Sequence, residues 1–380
     1  MNGSLKDILV LDLSRLFPGP YCSMILADHG ARVIAIEDRR FEKEYMPILS
    51  NINRNKEHMT LNLKNGKGKD IFFSLAKKAD VVLEGFRPGV TQRLGVGYED
   101  IRKINSGIIY CSITGYGQTG ALRNQVGHDV NYLGHSGVLS VIGPQNGPPC
   151  IPGIQVADMV GGLNGAIGIM LALHAREKTG TGQYIDVSMT DAMMAMLPFV
   201  AGFHWVFGAP PEKGNALLSH RYACYNIYQT QDAKYISLGA LEPRFWEAVC
   251  HYFEVPEYIP LQFDEQSKEL LIDFFKKAFL KKTRDEWMEI FSNTDTCIGR
   301  VLTVDEALDG NYSQSRNMVV KLEQPGQDPV AVLGIPIKMT ANPGSIRSLP
   351  PKFGEDTQPI LEELGFSPTE IQHLSDAGVI

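Results

Sequence analysis

The chain has 380 residues, of which 44% are apolar and 21% are charged. This length predicts about two domains, and the composition is typical of a globular protein and excludes a disordered one. The net charge of −7 argues against a nucleic-acid partner, because a phosphate backbone is bound by a basic face.

The N-terminal half alternates between strand and helix patterns. A buried strand over residues 8–13 precedes a Pro-Gly-Pro turn at 18–20, a helix over 21–30 and a second strand over 31–37. This order implies parallel strands joined by a right-handed crossover. The alternation continues with helix 67–78, strand 80–84, helix 98–104, strand 108–113, helix 159–177, strand 183–188 and a helix from near 190. The pattern predicts a doubly wound α/β domain.

The pattern changes after about residue 210. Residues 225–241 alternate like antiparallel strands, and residues 243–310 carry mostly helical patterns, so we expect a smaller α+β domain. The predicted boundaries are a large domain at 1–200, a linker at 201–224, a small domain at 225–325 and a return to the large domain at 330–380, with tail helices at 357–364 and 368–376.

Three features concern the compartment. The six cysteines are widely spaced, with no CxxC and no zinc-type set with histidine, so we expect reduced thiols and no metal site. No apolar signal segment stands at the N-terminus. The most apolar stretch, 193–208, contains Pro198 and His204 and predicts a buried helix or a subunit interface. We therefore expect a cytoplasmic protein without a membrane partner.

The segment 115–120 reads Gly-Tyr-Gly-Gln-Thr-Gly and fits the GxGxxG fingerprint of dinucleotide sites. It follows a late strand, however, whereas the fingerprint belongs to the first strand–helix turn, with an acid about 20 residues further on. Here the next acid is Asp129. We interpret the segment as a tight loop and expect no nicotinamide cofactor.

Asp158 stands where the N-cap of the long helix is expected. One interpretation is a plain capping carboxylate, worth about 1 kcal/mol. The other is a catalytic group, because a helix N-terminus presents unpaired N–H groups to a developing oxyanion. The glycines at 161–162 would then let a ligand approach the backbone.

Two further blocks contain acid–base residues. Residues 127–132 read Gly-His-Asp-Val-Asn-Tyr, and residues 239–243 read Gly-Ala-Leu-Glu-Pro. Taken alone, His128 predicts a structural histidine and Glu242 a strand-end acid, while Asp129 and Asn131 are ordinary turn formers.

Together with other segments, these blocks resemble family III CoA-transferases of the CaiB/BaiF type along nearly the whole chain. The segments are Gly-Pro at 19–20, Leu-Ala-Asp-His-Gly-Ala at 26–31, Glu-Gly-Phe-Arg-Pro-Gly at 84–89, Arg-Leu-Gly at 93–95 and Thr-Gly-Thr-Gly-Gln at 179–183. Within the family, the blocks at 127–132 and 239–243 are similar to those of α-methylacyl-CoA racemases. The segment 219–225 departs from the Arg-Gly-rich stretch of those racemases.

The resemblance implies an interlocked, ring-like homodimer, with a Rossmann-like large domain and a smaller α+β domain in each chain. The active site would lie between the large domain of one chain and the small domain of the other. Glu242 would then meet His128 across subunits.

The resemblance also implies an acyl-CoA substrate and leaves more than one reaction open. A racemase of 2-methylacyl-CoA would use Asp158 and His128 on opposite faces of the α-carbon, with Glu242 orienting the imidazole. A CoA-transferase would instead carry CoA as an aspartyl thioester on Asp158. A non-catalytic acyl-CoA-binding paralogue is a minor alternative. None of these calls for a metal or an organic cofactor.

CoA phosphates require cations. Arg39 and Arg40, just beyond the second strand, and Arg93 are the candidates that match the family, and Arg54 is a further one. Each could equally be a solvated surface arginine. Tyr132 is a candidate for the wall of the acyl or pantetheine channel, the alternative being a buried structural tyrosine.

Overall fold

The computed structural model describes residues 3–44, 51–324 and 326–380. The chain separates into two compact units. The first unit comprises Met1–Val138, Pro152–Met196 and Asn317–Ile380, and the second comprises Leu139–Ile151 and Leu197–Arg316.

Strands and helices alternate through the first unit, as the sequence predicts. The strands are β1 (Leu9–Asp12), β2 (Arg32–Glu37), β3 (Glu57–Thr60), β4 (Val81–Glu84), β5 (Ile109–Thr114), β6 (Tyr184–Ser188), β7 (Tyr225–Gln229), β8 (Tyr235–Gly239), β9 (Ile298–Val301), β10 (Val319–Gln324) and β11 (Gln327–Leu333). The helices are α1 (Pro18–Asp28), α2 (Gly66–Ala76), α3 (Val90–Leu94), α4 (Tyr98–Ile101), α5 (Asp129–His135), α6 (Val156–Thr179), α7 (Met189–Met194), α8 (Pro198–Phe207), α9 (Pro243–Tyr252), α10 (Lys268–Phe279), α11 (Arg284–Phe291), α12 (Val304–Asp309), α13 (Asn311–Ser315), α14 (Thr357–Glu363) and α15 (Pro368–Asp376).

The first unit is built on a six-stranded sheet in the order β3-β2-β1-β4-β5-β6. Every neighbouring pair is parallel, and β1 pairs on one side with β2 and on the other with β4. The residues of β4 and β5 are all buried, which suits a sheet covered on both faces. The order of the chain reverses between β1 and β4, and such a switch point leaves a crevice beyond the carboxyl ends of the strands.

Glycines allow α1 and α6 to pack closely on one face of this sheet. A Cβ at Gly162 would lie 2.6 Å from the Pro18 carbonyl oxygen, and one at Gly161 would lie 2.6 Å from Cγ of Met189. The prediction that these glycines leave the backbone open to a ligand is therefore wrong, because protein atoms fill that space. α6 is long and apolar enough to cross a membrane by length and composition, but its glycine face is packed inside the first unit.

The tail helices pack on the other side of the first unit. Ile360 and Leu361 of α14 and Ile371 of α15 are buried in the same core as Phe72 and Met59. The β10–β11 hairpin also belongs to this unit.

The second unit has an antiparallel sheet in the order β7-β8-β9 and a separate aromatic core around Trp246 and Phe275. Its limits differ from the predicted ones. The segment 201–224, expected as a linker, contains most of α8 and ends in Ala223 and Cys224, which are buried in this core. Apolar residues that gain by burial become part of a unit, although their sequence carries no strong periodicity.

Arg54 is part of the fold of the first unit. Its guanidinium donates to both carboxylate oxygens of Asp28, at 3.1 and 2.6 Å, and to the carbonyl oxygen of Leu333. The side chains of Arg54 and Asp28 are only 3% and 4% exposed. This corrects the prediction that Arg54 contacts a CoA phosphate, because its donors are already engaged within the protein.

We expect Arg54→Met to lower the free energy of unfolding by about 3–5 kcal/mol, because it leaves the Asp28 carboxylate buried without its partner. Urea denaturation of the two proteins measures the difference. Arg40→Met is the matched control, since Arg40 is exposed and its ion pair with Asp38 spans 3.3 Å. That change should alter stability by less than about 1 kcal/mol. Equal small losses in both variants would contradict the structural role of Arg54.

Candidate active site

The N-terminus of α6 is capped from a distance. The helix begins at Val156, and Gln155 at the N-cap makes no capping bond with its side chain. One oxygen of Asp129 instead accepts hydrogen bonds from the backbone N–H of Ala157 at 2.6 Å and of Asp158 at 3.2 Å. The prediction that Asp158 is the N-cap is wrong, because it lies in the first turn. Its carboxylate is therefore free of capping duty.

The remaining N–H groups of the first turn also have partners. Val156 N–H donates to the carbonyl of Ile154, and Met159 N–H donates to that of Gln155, both at 3.0 Å. The predicted row of unpaired N–H groups is thus not present. The Asp158 N–H, with the longest of these contacts, is the one that a thioester oxygen could engage most readily.

The carboxyl group of Asp158 is half-buried, and its pKa is raised to about 6. Loss of hydration is the main cause, and the carboxylate of Asp129 adds to it, while the imidazole of His128 acts in the opposite direction. Near pH 7 this group is mostly ionised yet unusually basic, which is the property that a general base requires.

His128 lies immediately before α5 and is exposed. Its backbone N–H donates to Oδ1 of Asn131 at 3.0 Å, so Asn131 acts as the turn former that the sequence predicts. Within the part of the chain that the structure describes, no hydrogen bond to the His128 ring is found. The ring nitrogens are therefore open to a substrate or to another side chain.

Tyr132 of α5 is buried and fixed in place. Its hydroxyl donates to the carbonyl of Gly127 at 2.5 Å, and its ring meets Tyr116 edge to face at 5.2 Å between centroids. A Cβ at Gly115 would lie 2.3 Å from this ring, so the glycine loop makes room for Tyr132. Burial is the main cause that raises the pKa of Tyr132 to about 12, and Asp158 contributes. Asp158, His128 and Tyr132 thus share one neighbourhood.

Glu242 lies in the second unit, between β8 and α9, and is exposed. It acts electrostatically on Cys297, whose pKa is raised mainly by burial and then by Glu242. Its meeting with His128 stays a prediction.

An apolar cleft of about 390 Å³ opens at the carboxyl ends of β1, β2 and β4. Leu16, Ile36, Phe41 and Phe86 contribute to its walls. Leu16 has a φ of 67°, a strained conformation for a leucine, and such strain often accompanies function. The cleft lies at the switch point of the sheet, where ligands of open α/β sheets bind.

Cations border this cleft and two others. The apolar cleft is lined by Arg15, Arg40 and Lys64. Arg39 is exposed in a second cleft of about 370 Å³, and Arg93 shares a third, of about 550 Å³, with Arg123. The sequence predicted Arg39, Arg40 and Arg93, but no motif pointed to Arg15, Lys64 or Arg123. Across the residues that the structure describes, no group of three or more His, Cys, Asp or Glu side chains could hold a metal ion.

Comparisons with known proteins agree with this arrangement. The chain is 34% identical to the α-methylacyl-CoA racemase of Homo sapiens, over 99% of this chain and 97% of the relative. It is 30% identical to the succinyl-CoA:glutarate CoA-transferase of Homo sapiens, over 99% and 90%. The crystal structure of a CAIB/BAIF family protein from Brucella suis superposes with a TM-score of 0.85 at 25% identity, covering 96% of this chain and all of that one.

The model of one protein family matches residues 5–357 and therefore includes the parallel sheet, Asp158 and the second unit. A match of this extent agrees with the motifs that the sequence displays, and the chain belongs to CoA-transferase family III.

Proposed function

We propose that this protein racemises 2-methylacyl-CoA thioesters by removing and returning the proton at the α-carbon. The observation that carries the proposal is the half-buried carboxylate of Asp158, with its pKa raised to about 6, in electrostatic contact with the exposed imidazole of His128. The α-proton of a thioester is weakly acidic, so its removal calls for a basic group in a place of low hydration.

The proposed reaction uses two proton carriers. In one direction the Asp158 carboxylate takes the α-proton, and the electron pair moves onto the thioester oxygen as an enolate. Protonated His128 then gives its proton to the opposite face of the same carbon. The reverse direction exchanges the two roles. The backbone N–H of Asp158, at the positive end of α6, would stabilise the enolate oxygen.

Glu242 completes the proposal as the residue that orients His128. A carboxylate bonded to one imidazole nitrogen fixes the tautomer and leaves the other nitrogen for proton transfer. The open ring of His128 and the exposed carboxylate of Glu242 are compatible with this contact. We propose that it forms between two copies of the chain.

Exposed apolar surface supports a homodimer. One face of α6 exposes Leu163, Ile167, Met170 and Leu171, and α8 exposes Phe199, Trp205, Val206 and Phe207. Contiguous apolar surface of this kind is typical of interaction sites in proteins. A second copy of the chain is the occupant that we propose, and neither a membrane nor a nucleic acid is part of the proposal.

CoA would occupy the carboxyl edge of the sheet. The apolar cleft suits the adenine, and the cations that line it, Arg15, Arg40 and Lys64, suit the phosphates. Arg39 and Arg93 remain candidates for further phosphate contacts. Gly85 and Phe86 line this cleft, and the next residue, Arg87, acts electrostatically on Tyr132 beside Asp158. The thioester arm would therefore run from the cleft past Arg87 and Tyr132 to Asp158.

A CoA-transferase is the second candidate, and the similarity to succinyl-CoA:glutarate CoA-transferase favours it. In that reaction the Asp158 carboxylate attacks the thioester and later carries CoA itself. The chemistry does not require His128. A paralogue that binds acyl-CoA without a reaction is the third outcome.

The proposal includes no metal or organic cofactor, because the thioester brings its own CoA and both proton carriers belong to the chain. We further propose a reducing, cytoplasmic compartment. The six cysteines are all free thiols, which is compatible with it.

Three variants distinguish the two reactions. In a racemase, His128→Ala should abolish interconversion of the epimers by about 10²–10⁴-fold, because one face of the α-carbon loses its proton carrier. Glu242→Gln should cost less, since it disturbs orientation and not proton capacity. Asp158→Asn should stop the reaction and leave acyl-CoA binding largely intact.

The measurement is α-deuterium incorporation into a 2-methylacyl-CoA in D2O, beside CoA transfer to an added carboxylic acid. In a transferase, His128→Ala keeps transfer near the level of the unmodified enzyme, and no product contains α-deuterium. Robust transfer without α-exchange in the unmodified enzyme would eliminate the racemase proposal.

The ligand prediction uses thermal stability. CoA should raise the melting temperature by mass action, whereas NAD should not. Arg93→Glu should weaken CoA binding and affect a pantetheine thioester without phosphates much less. Arg102→Glu is the control, because Arg102 is exposed and its own ion pair is with Glu99 at 3.1 Å. Equal losses for both ligands would show that Arg93 makes no phosphate contact.

The dimer prediction uses exposed leucine and valine side chains. The unmodified protein should remain a dimer at nanomolar concentration, and Leu171→Glu should shift it toward monomer, because a charge enters the proposed interface. Val304→Glu is the control, since Val304 is 75% exposed and Leu171 66%. Light scattering or native mass spectrometry measures the state. A folded monomer of the unmodified protein at that concentration would contradict the dimer.

A further inference from the structure

Asp129 occupies an unusual place between two helix ends. It is the first residue of α5, directly after His128, and it is 9% exposed. Its oxygen Oδ1 also receives the two N–H groups at the start of α6. One buried carboxylate thus joins the segment that carries His128 to the turn that carries Asp158.

We infer that Asp129 is a positioning residue of the site, which fixes Asp158 through two backbone hydrogen bonds and His128 through the adjoining peptide bond. The inference rests on the proposed function for its chemistry, but the contacts themselves do not depend on which reaction takes place. Asp129 touches neither the reacting carbon nor the thioester in this proposal.

The helix ends explain why a carboxylate suits this position. The first N–H groups of any α-helix lack partners within the helix, and its N-terminus carries partial positive charge. Asp129 lies in the first turn of α5 and at the N-terminus of α6, so both helices stabilise its negative charge. A side chain held in this way has little freedom, and the first turn of α6 shares that rigidity.

The charge of Asp129 has a second effect. Loss of hydration raises the pKa of Asp158 most, Asp129 raises it further, and His128 lowers it. Among the other elements packed on α6, α5 also carries Tyr132, α1 carries Tyr21 and α7 carries Asp191. Of these groups, Asp129 is the negative charge that acts on Asp158. Removing it should therefore make Asp158 less basic.

Asp129→Asn separates the charge from the cap, because the amide oxygen can still accept the two N–H groups. We expect the acid limb of the pH profile of kcat/KM to move to lower pH, by on the order of 0.5 unit, because the pKa of Asp158 falls when a neighbouring negative charge is lost. kcat should fall by roughly tenfold or less, and KM should change little. Asp129→Ala, which also loses the cap, should lower kcat further.

Asp186→Asn is the matched control. Asp186 accepts the backbone N–H of Gln118 at 3.1 and 3.0 Å, so it caps a loop in a similar way, but it does not act on Asp158. Its variant should leave the acid limb in place. A fall in kcat without movement of the limb in Asp129→Asn would show a merely structural role and overturn the inference.

A titration without turnover keeps this test apart from the proposed function. The carboxyl carbon of Asp158 is followed by ¹³C NMR in the free enzyme and assigned by its loss in Asp158→Asn. A lower titration midpoint in Asp129→Asn supports the inference even if assays for racemisation and transfer are both silent. An unchanged midpoint overturns it even if the enzyme is active. Asp129→Ser, which also keeps an oxygen acceptor without the charge, gives the same two outcomes if the asparagine variant does not fold.

Discussion

The hydrogen bonds from the N-terminus of α6 to the Asp129 carboxylate decide which acid in this protein is reactive. A helix end must find acceptors for its first N–H groups, and here a residue outside the helix supplies them. Asp158 is therefore held by its backbone while its carboxylate loses hydration without gaining donors, which makes it basic. Glu84 shows the contrast. Burial raises its pKa to about 7, but Ser112 and the backbone N–H of Phe86 donate to it, so its oxygens are engaged within the fold.

The position of that helix end depends in turn on packing. α6 approaches α1 so closely that a Cβ at Gly162 would collide with a backbone oxygen, and backbone cannot move aside as a long side chain can. The opposite face of the same helix exposes Leu163, Ile167 and Leu171. A single helix therefore anchors the site within the first unit and presents the apolar surface on which we propose that a second copy binds.

The parallel sheet brings the proposed binding and reacting groups to one edge. All six strands run in the same direction, so their carboxyl ends, the strained turn at Leu16 and the loop that makes room for Tyr132 lie along that edge. An acyl-CoA has a charged nucleotide at one end and a reactive thioester at the other. A long edge with an apolar, cation-lined cleft at the switch point and Asp158 further along it suits such a substrate.

The sequence by itself determined the alternation of strands and helices in the first unit, the antiparallel strands of the second and the family, because periodicity and motifs are local properties of the chain. It also singled out Asp158, His128 and Glu242 as the residues of interest. Only the tertiary structure decided that Asp129 caps α6, that the glycines at 161–162 serve packing, and that Arg54 belongs to a buried ion pair. Each of these joins segments distant in the chain, and no local pattern can specify which donor finally meets which acceptor, because that depends on how the whole first unit packs.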